Sequence, residues 1–348
     1  MTHRIVILGA GYAGRTAAKR ATRLLRRTDV EVTLVNRTDR FVERVRLHQL
    51  AAGQDLPARP LPPDGLVVAT VTAIDLAAKT VHLGQTTLDY DTLVYALGSG
   101  PDLDSVPGVR AHAYAVADLD HALRLRDRVP SLDTAIVVGG GLTGIETAAE
   151  LAETNVRVTL ASHGPVGGWL SKRAQRHLHS SFERMGIDVC EGRVVKVGAH
   201  DLLLADGRNL QCDAVVWAAG FRVPPLAAEA GLAVDRHDRI QVDDRLRSLS
   251  HPDVYAIGDA AVAGARMACQ TGMPMGAFVA SDMARALAGR ESKPVRFRYV
   301  WQNISLGRRD GVTQFTRFDD TPRRAVLTGR ASARFKEFVT RGAAWAAN

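Results

Sequence analysis

Two segments of the chain share one construction, and that duplication restricts the available folds more than any other feature. Residues 4–36 read as an apolar, β-branched strand (RIVIL), a glycine turn (GAGYAG), a helix (RTAAKRATRLLRR) and a second strand (VEVTLVN). Residues 134–162 repeat the order with TAIVV, GGGLTG, IETAAELAET and VRVTLAS. Short apolar runs ending at glycine, each followed by helical periodicity, predict βαβ units. The repeat continues in TVHLGQTTLDYDTLVYALGS (80–99) and DLLLADGRNLQCDAVVWAAG (201–220). Each of these reads as an antiparallel meander entering a buried strand that ends at glycine. The expectation is an α/β chain with two Rossmann-like dinucleotide-binding domains.

Within the first turn, Gly9 permits the tight bend, Gly11 lets backbone approach a pyrophosphate, and Gly14 allows close helix–strand packing. Gly139, Gly141 and Gly144 hold the corresponding places in the second turn. The anion would sit on backbone N–H groups at the helix N-terminus. The second strand of such a unit commonly ends in a carboxylate that takes the ribose hydroxyls. Here the first copy ends in Asn36, whose amide can still bond hydroxyls. The second ends in Ser162, followed by His163, neither of which would repel a 2′-phosphate, so NADPH stays open beside NADH. Lys172 and Arg173 read equally as phosphate contacts or as surface charges. Glu146 sits just inside the second helix. There it either answers the helix dipole or touches the nicotinamide end of a cofactor.

Charge is distributed unevenly. Residues 290–348 hold 13 Lys/Arg against 5 Asp/Glu, whereas residues 1–289 hold 32 of each. A basic end on a neutral body suits an acidic partner or a solvated surface. It carries the strand-like VRFRYVWQNISLG and GVTQFTRF, then a helix on which Ala331, Phe335, Phe338, Val339 and Gly342 share one face, read as core packing. A helix is expected from Pro274 to Gly289. No run is long enough to span a bilayer, and glycines follow the first apolar run, which reads as a strand and not a signal peptide. Cys190, Cys212 and Cys269 are far apart, without redox or zinc spacing, so a reducing, cytoplasmic compartment and no metal site are expected.

The ordered set GAGYAG, YALGS, GGGLTGIE, WAAG and YAIGDAA, over about residues 3–290, resembles the two-dinucleotide flavoprotein superfamily. That superfamily includes glutathione reductase-like enzymes, ferredoxin reductases, apoptosis-inducing factor and type II NADH dehydrogenases. The resemblance implies FAD on Gly9, Gly11, Gly14 and Asn36, with Ala96, Gly98, Gly258 and Asp259, the last on the ribityl chain. It implies NADH or NADPH on Gly139, Gly141, Gly144, Ser162, His163 and Gly220. It also implies a discontinuous FAD domain (1–107 and 221–289), an inserted NAD(P)H domain (108–220) and a small C-terminal α+β domain (290–348).

The segment RTDRFVERVRLHQLAAG after Asn36 lacks cysteine, so electrons are expected to leave the flavin without a redox disulfide. Arg44 in that segment falls beneath the flavin by resemblance, or on the wet face of a helix by pattern. MACQTGMPMGAFVASDMARALAG is similar to the quinone-reducing members. Carried over, Gln270 neighbours the quinone, Met267, Met273 and Met275 form a soft wall, and Gln270 and Glu146 are the catalytic candidates. The implied activity is an FAD-dependent NAD(P)H dehydrogenase with a quinone-type acceptor. The alternatives are a ferredoxin- or rubredoxin-type reductase, or a redox-sensing binding protein like apoptosis-inducing factor. The basic tail admits weak contact with the inner membrane surface or an acidic protein. Nothing suggests base readout, which argues against nucleic acid.

Overall fold

The computed structural model describes residues 1–347, and its two largest sheets repeat one another strand for strand. The first is parallel, in the order Val254–Ala256, Thr92–Tyr95, His3–Leu8, Val30–Asn36, Leu66–Val68. The second runs Ala113–Ala115, Ala214–Trp217, Thr134–Val138, Arg157–Ser162, Asp188–Glu191, also parallel. Each has a three-stranded antiparallel companion: Ala73–Asp75, Thr80–Leu83 and Thr86–Asp89 for the first, Val194–Val197, Asp201–Leu204 and Asn209–Gln211 for the second. The copies differ at one edge. The outermost strand of the first sheet comes from residues 254–256, after the chain has built the second and returned.

The strand His3–Leu8 shows why continuous apolar runs were needed. Successive side chains point to opposite faces, and both faces are covered. Ile5 and Ile7 meet the helices Tyr12–Leu25 and Cys269–Leu287 through Ala17, Ala21, Val279 and Met283. Val6 and Leu8 meet the meander side through Val81, Tyr90 and Tyr95. Those two helices touch at Gly276, where a Cβ would collide with the Ala13 carbonyl.

At the C-terminal end, Trp301–Ser305, Gly311–Thr316 and Pro322–Thr328 form an antiparallel sheet, followed by the helix Gly329–Ala347. Ile304, Leu306, Val312 and Val326 join the same buried cluster as Ile145 and Leu151. Carboxylates pin the contact. Asp310 accepts from His177, Ser181 and Arg184, and Glu153 accepts from the Arg308 amide.

Several expectations need correction. The helix placed at Pro274 begins at Cys269 and ends at Leu287. Proline lies inside it, so Gln270 loses the amide that would ordinarily bond its carbonyl. Residues 291–300 form no strand, and Pro322–Thr328 is a strand the pattern missed. The stripe read as core is not buried: Ala331 and Gly342 are exposed and Phe338 is 75% exposed. The buried residues of this helix are Ser332, Ala344 and Ala347, because alanines permit the close approach that its last turns make to Tyr12 and Phe41.

Candidate functional site

The two glycine turns have one backbone geometry. Gly9 and Gly139 adopt φ of +96° and +123°, in the region that favours glycine. A Cβ on either would press on a backbone carbonyl, at 2.5 Å from Ala96 O or 2.7 Å from Ala218 O. Cβ atoms on Gly14 and Gly144 would collide with the Gly9 and Gly139 carbonyls. Above Gly11 and Gly141 nothing lies within 4 Å of an added Cβ. No side chain among the described residues caps the helices that start there. Each turn therefore offers open space over uncapped helix amides, which is the requirement for holding a pyrophosphate.

Around the first turn, Asn36 Oδ1 accepts from the Ala10 amide at 3.0 Å and its Nδ2 donates to Thr38 O. Asn36 therefore ties the strand end to the turn. Ala96 supports the turn from the adjacent strand, and Gly98 follows with φ +68°. Three distant segments meet at Asp259. Its Oδ2 accepts from Arg44 Nη1 at 3.2 Å and from Ser99 Oγ at 2.7 Å. Arg44 also donates to Ser99 O and lies over the Phe221 ring. Arg44 is thus held inward, and the wet-face reading of its segment is corrected: Arg46, His48 and Gln49 are buried as well. Gly258 packs on Ala13 of the first helix. The residues present fit an FAD-sized dinucleotide running from the first turn toward Asp259.

Beyond Asp259 is a cavity of about 350 Å³ that brings together Arg44, Glu146 and Gln270 with His48, Met267, Cys269, Met273 and Lys336. Met275 is not at its wall. It is buried, and its Sδ accepts from the Gly258 amide. Glu146 lies beyond the first turn of its helix, so the dipole reading is corrected as well. Its Oε1 receives Lys336 Nζ from the C-terminal helix and the Ser305 amide at 3.0 Å; Lys336 Nζ also reaches Ser305 Oγ at 3.0 Å. Burial pushes the Glu146 carboxyl up, but the Lys336 charge and these bonds outweigh it and hold the pKa below the ordinary value. His48 Nδ1 lies 3.9 Å from Glu146 Oε2, and burial drives its pKa down to about 4, so it is neutral near pH 7. Its Nε2 is buried without a partner among the described residues. Burial raises the Cys269 thiol, and all three cysteines are free.

A second cavity, about 570 Å³, spreads over the second turn. Gly139, Gly141, Ser162, His163 and Gly220 line it, together with Trp169 and Arg193. Sequence reasoning missed Lys336, Arg193 and Trp169. Each comes from an element whose own pattern shows no motif.

Four findings place the chain among known proteins. The model of the pyridine nucleotide-disulphide oxidoreductase family matches residues 3–284. An NADH dehydrogenase-like protein of Mycobacterium tuberculosis is 32% identical, covering 87% of this chain and 86% of that one. A type II NADH:quinone oxidoreductase of the same organism is 30% identical, covering 90% and 78%. Among solved structures, the sulfide:quinone oxidoreductase from Aquifex aeolicus has the same fold, with a TM-score of 0.85 at 19% identity over 99% of this chain and 91% of that one.

Proposed function

This chain belongs to the pyridine nucleotide-disulphide oxidoreductase family, and from that premise we propose that it is an FAD-dependent NAD(P)H dehydrogenase whose electron acceptor is a quinone. Relatives named for NADH and quinone over most of its length support this reading. The observation that carries it is the 350 Å³ cavity beside Asp259, which has mixed apolar and proton-bearing walls and no paired cysteines. When bound, FAD supplies a ring that takes hydride from the nicotinamide and returns the electrons to an acceptor.

The protein's part is positioning and proton supply. The first glycine turn and Asn36 hold one end of the dinucleotide; Arg44, Ser99 and Asp259 fix the other. Gln270 and Met273 sit on the first turns of the helix Cys269–Leu287, whose uncapped amide end meets the cavity. Reducing a quinone with NAD(P)H takes up one proton beyond the hydride. Lys336, Glu146 and Ser305 form a hydrogen-bonded cluster at the cavity wall, along which that proton would enter. Lys336 and Thr340 also line an open groove of about 850 Å³ on the outer side, which joins this wall to solvent.

The groove suggests where a lipid-soluble quinone enters. Arg308, Arg309, Arg330, Arg334 and Arg341 line it, with Phe338 and Trp345 exposed at 75% and 78%. Exposed aromatic rings among arginines suit the headgroup layer of an anionic membrane. No helix among the described residues is long and apolar enough to cross one. A peripheral position with this face on the lipid accounts for the basic tail; an acidic protein partner is the competing outcome.

The test is anaerobic mixing of the holoenzyme with NADH and, separately, NADPH, followed by a soluble quinone. Flavin bleaching and rapid recovery are expected. Bleaching without recovery would remove the quinone, and no bleaching with either nucleotide would remove the dehydrogenase. Flotation with vesicles containing phosphatidylserine, set against neutral vesicles, tests the surface.

A further inference from the structure

We infer that the second cavity selects a nicotinamide nucleotide bearing a 2′-phosphate, NADPH, and that Arg193 makes the selection. The inference rests on the reading above that this cavity takes the nicotinamide nucleotide. In a βαβ unit the adenosine ribose lies at the end of the second strand. A carboxylate there binds the 2′-hydroxyl and repels a phosphate, and an arginine nearby does the opposite. The second strand here is Arg157–Ser162, and it ends without a carboxylate. Ser162 is buried, its Oγ donates to Gly164 O at 2.7 Å, and it is tucked so closely against the turn that a Cβ on Gly140 would meet it. It is neutral and already partnered, which leaves it poorly placed to grip a ribose.

The charge at this end is positive. Arg193 follows the neighbouring strand Asp188–Glu191, lines the cavity and is exposed. Among the described residues its guanidinium has no ion-pair or hydrogen-bond partner. Arg208, on the adjoining hairpin, is instead engaged with Asp206, Cys190 Sγ and the Glu191 carbonyl. His163, exposed at the rim, adds a donor. Glu191, register partner of Ser162, is exposed and is not among the lining residues. The carboxylate that does line the cavity, Asp102, lies beside Gly220 and accepts from the Asp104 and Ser105 amides; a forked guanidinium at the end of a strand that carries no carboxylate suits a phosphate dianion.

The experiment uses the FAD-loaded protein at low ionic strength. kcat/KM is measured for NADPH and NADH in the wild type, Arg193→Ala and Arg193→Lys. Calorimetry compares adenosine 2′,5′-bisphosphate with AMP, which differ only in the 2′-phosphate. NADPH is expected to exceed NADH by about tenfold or more, the size of one hydrogen-bonded charge contact. Arg193→Ala should erase that ratio through a rise in the KM for NADPH, and lysine should restore part of it. The bisphosphate should bind more tightly than AMP only when Arg193 is present. Equal binding of the two probes, or an NADH preference that Arg193→Ala leaves unchanged, overturns the inference. No bleaching by either nucleotide would instead overturn the dehydrogenase reading, and the calorimetry would still decide this one.

Discussion

The two glycine turns share a backbone and differ in what surrounds them. In the first, the strand end reaches back: Asn36 accepts the Ala10 amide. The C-terminal helix closes over the same place, with Ala344 and Ala347 packed against Tyr12 and Phe41, and Lys19 Nζ reaching the Ala346 carbonyl at 3.4 Å. In the second, Ser162 turns to its own loop, and a cavity of about 570 Å³ remains open above the turn. On the reading proposed above, the covered copy retains its dinucleotide, the open one releases its own each turnover, and the proposed acceptor cavity lies where the C-terminal helix meets both.

The comparison can be broken at its weakest points. Gly144→Val should have the largest effect on turnover of the nicotinamide, because its side chain would be driven into the Gly139 carbonyl. Such overpacking costs about 1–3 kcal/mol, so kcat/KM for the nicotinamide should fall by up to about a hundredfold. FAD should stay bound, read from the visible spectrum of the purified variant. Loss of FAD as well would mean the two cradles are not independent.

Lys336→Met leaves Glu146 buried and unpaired. Removing one partner of a buried ion pair costs about 3–5 kcal/mol, and the urea midpoint should drop accordingly. Lys336→Met combined with Glu146→Gln should recover most of that loss. Quinone reoxidation should stay slow in both variants.

His48 sharpens the account through pH. Its folded pKa, about 4, lies below the unfolded value near 6.5. The unfolded chain therefore binds the proton first, and stability falls as pH drops from 6.5 toward 4, by about 3 kcal/mol in all. Glu146 acts lower: with its folded pKa depressed, its contribution holds above the unfolded carboxylate value and is lost as pH falls through the folded one. Urea titrations of His48→Gln should lose the slope between pH 4 and 6.5 and keep the acid limb below it.

The smallest effect belongs to the outer face. Phe338 and Trp345 are mostly exposed, so alanine at either should change stability by no more than about 0.5 kcal/mol. Both together should halve or abolish flotation with anionic vesicles. An unchanged flotation would remove the membrane contact while sparing the chemistry.

What the sequence made legible was local. Gly9, Gly11 and Gly14 act within six residues of one another, and the strand and helix that frame them declare their own periods. The duplication was visible for the same reason, as was the absence of a cysteine near Arg44. The acceptor cavity was less visible, because Lys336 meets Glu146 across 190 positions and no local pattern marks either as a partner of the other. Hydrophobicity also misjudged the C-terminal helix. Periodicity marks Phe338 as a core residue and leaves Ala344 outside the predicted face, yet the tight approach to Tyr12 selected alanine. Pro274 misled because a helix tolerates one missing amide near its start when the freed carbonyl is that of Gln270, at the cavity wall.

The most direct measurement follows both nucleotides on one sample. The protein is reduced anaerobically with a slight excess of NADPH, passed rapidly through a desalting column, and assayed for flavin and nicotinamide. A resident first cradle and a visiting second one predict that a full equivalent of FAD stays with the protein while the nicotinamide is lost. Retention of both, or loss of FAD at the same rate as the nicotinamide, would contradict that division between the two copies.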